Sequence, residues 1–338
     1  MAQLTAVTVV ATLLFAGCGG AQATIPTPTS HVAGPQGDTW ASEGVTWRRV
    51  AAGGPSPRYS AALAYDAKHK VFVLFGGQTA KGSSGETWTW DGTSWKAQSP
   101  AHKPSPRRST AMAYDPERQV VILYGGLIED PAEGKERGDT WTWDGTDWTE
   151  VDHGPGAPDV REGLRMVTAE NQVLLFGGRI GNLQYFGDAW TWSGKAWSRV
   201  DQNPLPAGRS NSAVAWNPAG SSLLVYGGSG LNASAGPGAA GIPLADAWSL
   251  SGGIWTQLKG AGPPALSLAS SIWDRKGNRW MVLLGISCPN PTDAAWAWDG
   301  SAWSKLASPG ISARWGAASA ETPDGRALLF GGDDQSGC

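Results

Sequence analysis

Six times in this chain a tryptophan is followed, after six intervening residues, by another: Trp40/Trp47, Trp88/Trp95, Trp141/Trp148, Trp190/Trp197, Trp248/Trp255 and Trp296/Trp303. The spacing never changes, and the pairs recur with a period of roughly 50 residues, the range in which repeated sequence builds solenoids, propellers or arrays. Five pairs are preceded by an apolar run ending in glycine, at Gly76-Gly77, Gly125-Gly126, Gly177-Gly178, Gly227-Gly228 and a lone Gly285; a further pair, Gly331-Gly332, stands near the C-terminus. With 20 Trp and 47 Gly beside only 6 Phe and 6 Tyr, most of the aromatic content is committed to these copies.

Each copy carries four strand signals. A small-residue run such as Ser60 to Tyr65, usually introduced by Pro and Arg, precedes a β-branched and aromatic run such as Val71 to Phe75. Two more strands flank an Asp-Gly turn, as in Trp90-Asp91-Gly92-Thr93, and the dipeptide predicts a two-residue hairpin because both residues tolerate positive φ. Small side chains on the first strand suit a crowded axis where strands converge, while Trp88 and Trp90, two apart, share one face of a strand. The ends are complementary. Trp40 and Trp47 lack a first and second strand, and Gly331-Gly332 closes a first and second strand with nothing after them. Joined, they make one more unit and remove two exposed sheet edges.

The pattern resembles the kelch family, whose repeat is an apolar strand ending in Gly-Gly, then an aromatic residue and a Trp at fixed spacing. The resemblance covers residues 37–338. It implies an all-β fold, a six-bladed β-propeller like the central domain of galactose oxidase, with N-terminal strands c and d completing the blade begun by C-terminal strands a and b. The copper ligands of galactose oxidase have no counterparts here, and no cofactor is expected.

Ahead of the repeats, Leu4 to Gly17 is apolar or small, too short to span a bilayer, and reads as a secretory h-region. It ends in Leu14-Phe15-Ala16-Gly17-Cys18, which resembles the lipobox of bacterial lipoproteins and implies a signal peptide over 1–17 and lipidation of Cys18. Residues 18–36 then read as a flexible tether. The expected location is outside the cytoplasm, on a membrane through the lipid alone, facing periplasm or exterior. Cys288 and Cys338 remain for a disulfide in such an oxidising compartment.

A net charge of −3 with no basic run excludes the electrostatic footprint of a nucleic-acid binder. His31, His69, His102 and His153 join no Cys, Asp or Glu at metal-ligand spacing, so no metal is expected, and no nucleophile elbow or phosphate loop occurs. Arg58, Arg107, Arg161, Arg209 and Arg314 open the first strand of five copies, Leu266 standing in the fifth, and Asp38, Glu86, Asp139, Asp188 and Asp246 precede the first Trp; a recurring base with a recurring acid reads as a structural tie. Tyr65, Tyr114, Trp216 and Trp273 share one repeat position and read as core.

Residues that break the repeat are the candidates for a site. Directly after the recurring arginine position stand Tyr59, Arg108, Glu162, Ser210, Ser267 and Trp315; Arg165 places a charge where other copies have Ala or Ser, and Tyr185 is an unmatched aromatic. The candidate ligand-binding set is Tyr59, Arg108, Glu162, Arg165, Tyr185 and Trp315, suited to a sugar or peptide segment. No catalytic residues are expected. The expected role is a monomeric binding module for a protein or glycan at the envelope. The alternative is a carbohydrate-active enzyme such as a mutarotase or epimerase, which the fold is known to host.

Overall fold

In the computed structural model, which describes residues 33–336 except 52, 130–135, 203, 233 and 235–238, strands are the only regular elements. They form six four-stranded antiparallel sheets, an arrangement consistent with a propeller, together with a few two- and three-stranded ribbons in the loops. Sheet one joins Ala62–Asp66, Val71–Phe75, Thr87–Trp90 and Trp95–Ala97 in chain order, and sheets two to five repeat that order with first strands Ala111–Asp115, Arg165–Ala169, Ala213–Asn217 and Ser270–Asp274. Sheet six is assembled from both ends of the chain. Ala318–Glu321 and Arg326–Phe330 supply its first two strands and Thr39–Glu43 and Thr46–Ala51 its last two, with Thr39 opposite Phe330 and Glu43 opposite Arg326. The pairing of the ends begins ahead of residue 37: the Gln36 N–H donates to Gly332 O (2.7 Å) and the Gly34 N–H to the Asp334 carboxylate (2.7 Å), so the expected tether loses these residues to the sheet system. The signal segment and Cys18 lie outside the described residues.

The first strands touch one another in sequence, from sheet one to two and onward to six, and sheet six touches sheet one. Just before each of them sits a residue with left-handed backbone, namely Ser60, Ser109, Gly163, Asn211, Leu268 and Gly316, with φ between 52° and 65°. Each donates its N–H to the carbonyl of its equivalent in the preceding sheet. Ser109 donates to Ser60 (2.9 Å), Gly163 to Ser109 (2.9 Å), Asn211 to Gly163 (2.6 Å), Leu268 to Asn211 (3.0 Å), Gly316 to Leu268 (2.9 Å) and Ser60 to Gly316 (2.8 Å). Gly and Asn reach this conformation readily; Ser60, Ser109 and Leu268 do so at a cost of about 1–2 kcal/mol each.

The core lies between sheets rather than within one layer. Each of six apolar clusters draws on two successive sheets; Phe75 and Val73 of sheet one meet Leu123, Trp143 and Trp148 of sheet two, and Leu328 and Phe330 of sheet six meet Leu74 and Trp90 of sheet one. The second Trp of each pair sits on the fourth strand and reaches back to the preceding sheet. Trp148 Nε1 donates to Thr87 Oγ1 (2.9 Å), Trp197 Nε1 to Thr140 Oγ1 (3.0 Å) and Trp95 Nε1 to Thr39 Oγ1 (2.8 Å). In these three the partner is the residue before the preceding sheet's first Trp; Trp255, which finds Ala189 at that position, donates to Asp201 Oδ2 instead (3.3 Å). Where that residue is Ala295, the indole reaching it, Trp47 Nε1, is buried without a partner.

One expectation is corrected. The Asp-Gly turns are not two-residue hairpins: Trp90 pairs with Trp95 across four residues, because the Asp91 carboxylate accepts the N–H groups of Thr93 and Ser94 (both 2.8 Å) and folds an Asx turn inside the loop. Two-residue turns occur where glycine stands without Asp, at Gly44-Val45 and Gly252-Gly253.

Two outcomes follow. Thr87→Val keeps the shape but strands the Trp148 indole N–H, and is expected to cost about 1–3 kcal/mol in urea unfolding. Deleting residues 37–51 removes half of sheet six and bares the edge of Arg326–Phe330; the product is expected to aggregate or unfold, and a monomer with unchanged melting temperature would contradict the assembly.

Candidate functional site

The recurring arginines are structural. Arg58, Arg107, Arg161, Arg209 and Arg314 are all 1% exposed or less. In the second sheet, Arg107 grips both Asp139 oxygens through Nη1 and Nη2 (2.6 and 2.8 Å) and donates from Nη1 to Gly125 O (3.0 Å) and from Nε to Ser105 O (3.1 Å). The same two-pronged grip joins Arg161 to Asp188 (2.7 Å), Arg209 to Asp246 (2.7 Å) and Arg314 to Asp38 (2.5 Å), while Arg58 holds Glu86 through Nη2 alone (2.6 Å) and sends Nη1 to Ser84 Oγ (3.1 Å). In each case the acid also accepts the first Trp of the pair, as Asp139 accepts Trp141 Nε1 (2.8 Å). Burial alone would raise the Asp139 carboxyl, but the hydrogen bonds and charge of Arg107, with the indole, outweigh it and hold its pKa below the usual carboxylate value.

The arginine backbone ties the next sheet in. The Gly77 N–H donates to Arg107 O (2.9 Å), and a Cβ on Gly76, at φ +73°, would lie 2.5 Å from that oxygen, which is why glycine is needed there. Sheet five lacks the arginine. Leu284 replaces the first glycine at φ +61° with its side chain 1% exposed, so apolar burial offsets the backbone cost. Asp293, one residue early, bonds Ser308 (3.1 Å) instead, and Trp296 Nε1 is buried without a partner.

Second-to-third strand connections and the entry to every first strand lie at one end of the sheets; call it the loop end. Each candidate rim residue is fixed there by two backbone bonds to the residue after its glycines, as Tyr59 N–H to Gln78 O (3.1 Å) and Gln78 N–H to Tyr59 O (2.8 Å). Only the side chains vary. Tyr59 and Trp315 meet edge to face with ring centroids 4.8 Å apart, and Trp315 Nε1 donates to Gln335 O (3.0 Å). Glu162 is 4% exposed and bridged to Arg179 (3.0 Å), whose Nη1 also reaches the Tyr185 hydroxyl (3.3 Å). Arg108 bridges to Glu129 (3.3 Å). The six candidates therefore do not converge. Tyr59 joins Trp315, Glu162 joins Tyr185 through Arg179, and Arg108 stands apart with its own acid. The loop end also carries Leu183, Leu231 and Ile242 as exposed large apolar side chains.

Arg165 is not on the rim. It lines a cavity of about 110 Å³ between the first strands, with Ser60, Ser109, Thr110, Ser271 and Ser319 among its neighbours. Below a constriction shared by Leu63, Met112, Met166 and Ser319, a second cavity of about 460 Å³ opens toward the opposite end. Tyr65, Tyr114 and Trp216 line it, with Thr168, Glu170, Arg275 and Glu321. Reading that repeat position as plain core is therefore corrected: Tyr114 and Trp273 are buried, but Tyr65 and Trp216 keep exposed surface, since the strands diverge below the constriction. Glu321 occupies the same position in sheet six and sequence reasoning passed it over. An acid where four copies place aromatics was the available signal. Its carboxylate accepts the Trp273 N–H, and burial pushes its pKa up to about 7 against the opposing pull of that bond and of Arg275.

Histidines serve the scaffold: His69 Nδ1 lies 2.7 Å from Asp66 Oδ2 and His102 Nδ1 2.8 Å from Asp147 Oδ2. Among the described residues no three His, Cys, Asp or Glu side chains are grouped to hold a metal, and no helix is long and apolar enough to cross a membrane. Cys288 is disulfide-bonded; Cys338, expected as its partner, lies outside the described residues. No protein-family model matches the chain, and no curated protein matches it.

The raised pKa of Glu321 fixes a sign. A folded pKa above the unfolded 4.5 contributes stability below the unfolded value and loses it as pH rises through about 7. Wild type is expected to lose stability between about pH 5 and pH 8 relative to Glu321→Gln, read from urea midpoints at both values.

Proposed function

We propose that this chain is an exported lipoprotein whose repeats close a six-bladed kelch-type propeller, and that its loop end binds a protein or glycan at the cell envelope. The six-membered circuit of backbone bonds supports the closed ring, and the disulfide at Cys288 supports an oxidising compartment. One observation carries the binding reading. The residues that escape the repeat are held on doubly bonded backbone around one end, where the Tyr59–Trp315 pair and the exposed Leu183, Leu231 and Ile242 offer apolar and aromatic surface that the scaffold does not use. Such surface stacks on sugar rings or seats an apolar peptide segment.

Glu321 favours a second reading, a carbohydrate-active enzyme. A carboxyl poised near neutral pH in an aromatic-lined cavity is equipped to take the anomeric hydroxyl proton of a sugar and to return a proton to the ring oxygen, opening and reclosing the ring without net change. A glycan array followed by an NMR assay of sugar anomerisation separates the two. Under the first reading binding occurs without turnover, and Tyr59→Ala or Trp315→Ala weakens it about tenfold, roughly 1.4 kcal/mol. Turnover abolished by Glu321→Gln, with binding untouched by the rim variants, would move the function to the opposite end.

A further inference from the structure

We propose that the cavity beside Arg165 is a binding site for a small anionic group, a carboxylate or an inorganic oxyanion, held by the Arg165 guanidinium and the hydroxyls of Ser60 and Ser109. The proposal does not depend on what the loop end docks.

It starts from a contrast between arginines. The five recurring ones each meet a carboxylate. Arg165 is half-buried and meets none among the described residues: Nε donates to Ser212 O (3.0 Å), Nη1 to Leu164 O (3.3 Å), and Nη2 makes no hydrogen bond there. Carbonyl oxygens satisfy donors but do not neutralise charge. A cation drawn partly out of water without a counter-charge is costly, and desolvation accordingly draws the Arg165 pKa down to about 10. Every other residue lining this cavity is uncharged, so the field there is positive.

The hydroxyls divide the same way. Thr110 donates to Tyr124 O (2.9 Å), Ser271 to Val214 O (2.7 Å) and Ser319 to Ser271 O (3.3 Å), so these are engaged by the scaffold. The Ser60 and Ser109 side chains make no hydrogen bond among the described residues and line the cavity with Arg165. Their backbones are fixed by the inter-sheet circuit, which leaves the hydroxyls as donors in set positions. At about 110 Å³ the space suits one small anionic group. A guanidinium fork with two hydroxyls matches the planar or tetrahedral oxygens of carboxylate, sulfate or phosphate.

The experiment is a thermal-unfolding titration of the full exported protein with sodium acetate, sulfate and phosphate, beside Arg165→Met, Arg165→Lys and the double variant Ser60→Ala/Ser109→Ala. Wild type is expected to gain melting temperature in a saturable way with at least one anion. Arg165→Met is expected to abolish the saturable part, and Arg165→Lys, which keeps the charge and loses the fork, to weaken apparent affinity about tenfold. If Arg165→Met does not fold, the serine pair carries the test, with a severalfold loss. A saturable shift of equal size in Arg165→Met, an unchanged affinity in both other variants, or no saturable shift in wild type would overturn the proposal. A glycan array of carboxylated, sulfated and neutral sets distinguishes the sources. Acidic binding lost in Arg165→Lys identifies the charged end of a larger ligand; an anion shift without any acidic glycan identifies a free ion.

Discussion

Neighbouring sheets here share no strand ladder, so what spaces them is the closed circuit of backbone hydrogen bonds through Ser60, Ser109, Gly163, Asn211, Leu268 and Gly316. A bond of 2.6 to 3.0 Å between equivalent residues brings the first strands as close as backbone can come. Ala, Ser and Thr then predominate beside the axis, with a few Leu and Met and the single Arg165, which accounts for the small-residue composition of those strands and for the narrow upper cavity. The same closeness pushes bulk outward. Most tryptophans occupy the third and fourth strands, where the sheets diverge and the space between them must be filled.

Around the circuit the tie between sheets is modular, and sheet five shows the module by losing it. Arginine, acid, first glycine and indole form one network in five sheets. In the fifth, Leu266 replaces the arginine, Leu284 replaces the glycine, Asp293 shifts by one, and the Trp296 indole N–H is left alone. The parts disappear together, as expected if each is needed only because the others are present: a buried carboxylate without its guanidinium costs more than a leucine in the same place. The backbone bond from Gly285 to Arg314 O (2.8 Å) persists regardless, so the side-chain network reinforces a contact that the main chain already makes.

Much of this was legible in the sequence because repetition multiplies weak signals. A single Trp-Trp spacing says little; six at one interval specify strand count, pairing order and the sharing of one sheet between the two ends. The arginine and acid positions were readable as a tie for the same reason. Function was less legible because it resides in departures from the repeat, and a departure seen once has no statistics behind it. Glu162 read as a free rim acid and is instead buried against Arg179, a partner no spacing indicated. Arg165 read as a charge on the first strand where other copies have Ala or Ser, but nothing in its spacing showed that it would line the cavity between those strands rather than join the other candidates. Glu321 was visible as the odd acid among Tyr65, Tyr114, Trp216 and Trp273, but the cavity that gives it meaning depends on how far six strands diverge below a constriction.

The shared sixth sheet also dictates an order of events when the chain folds. Asp38 cannot meet Arg314, 276 positions further along the chain, until the chain between them has been made and brought together. Until then Thr39–Glu43 can pair only with Thr46–Ala51, and its other edge is open. Entropy of closure grows only slowly with such a separation, so the delay is a matter of time more than of equilibrium. An exposed edge is an invitation to pair with another copy. A chain whose sixth sheet is incomplete thus carries the open edge that invites misassembly, and the hydrogen bonds from Gln36 and Gly34 to the far end of the chain add to what holds that sheet shut.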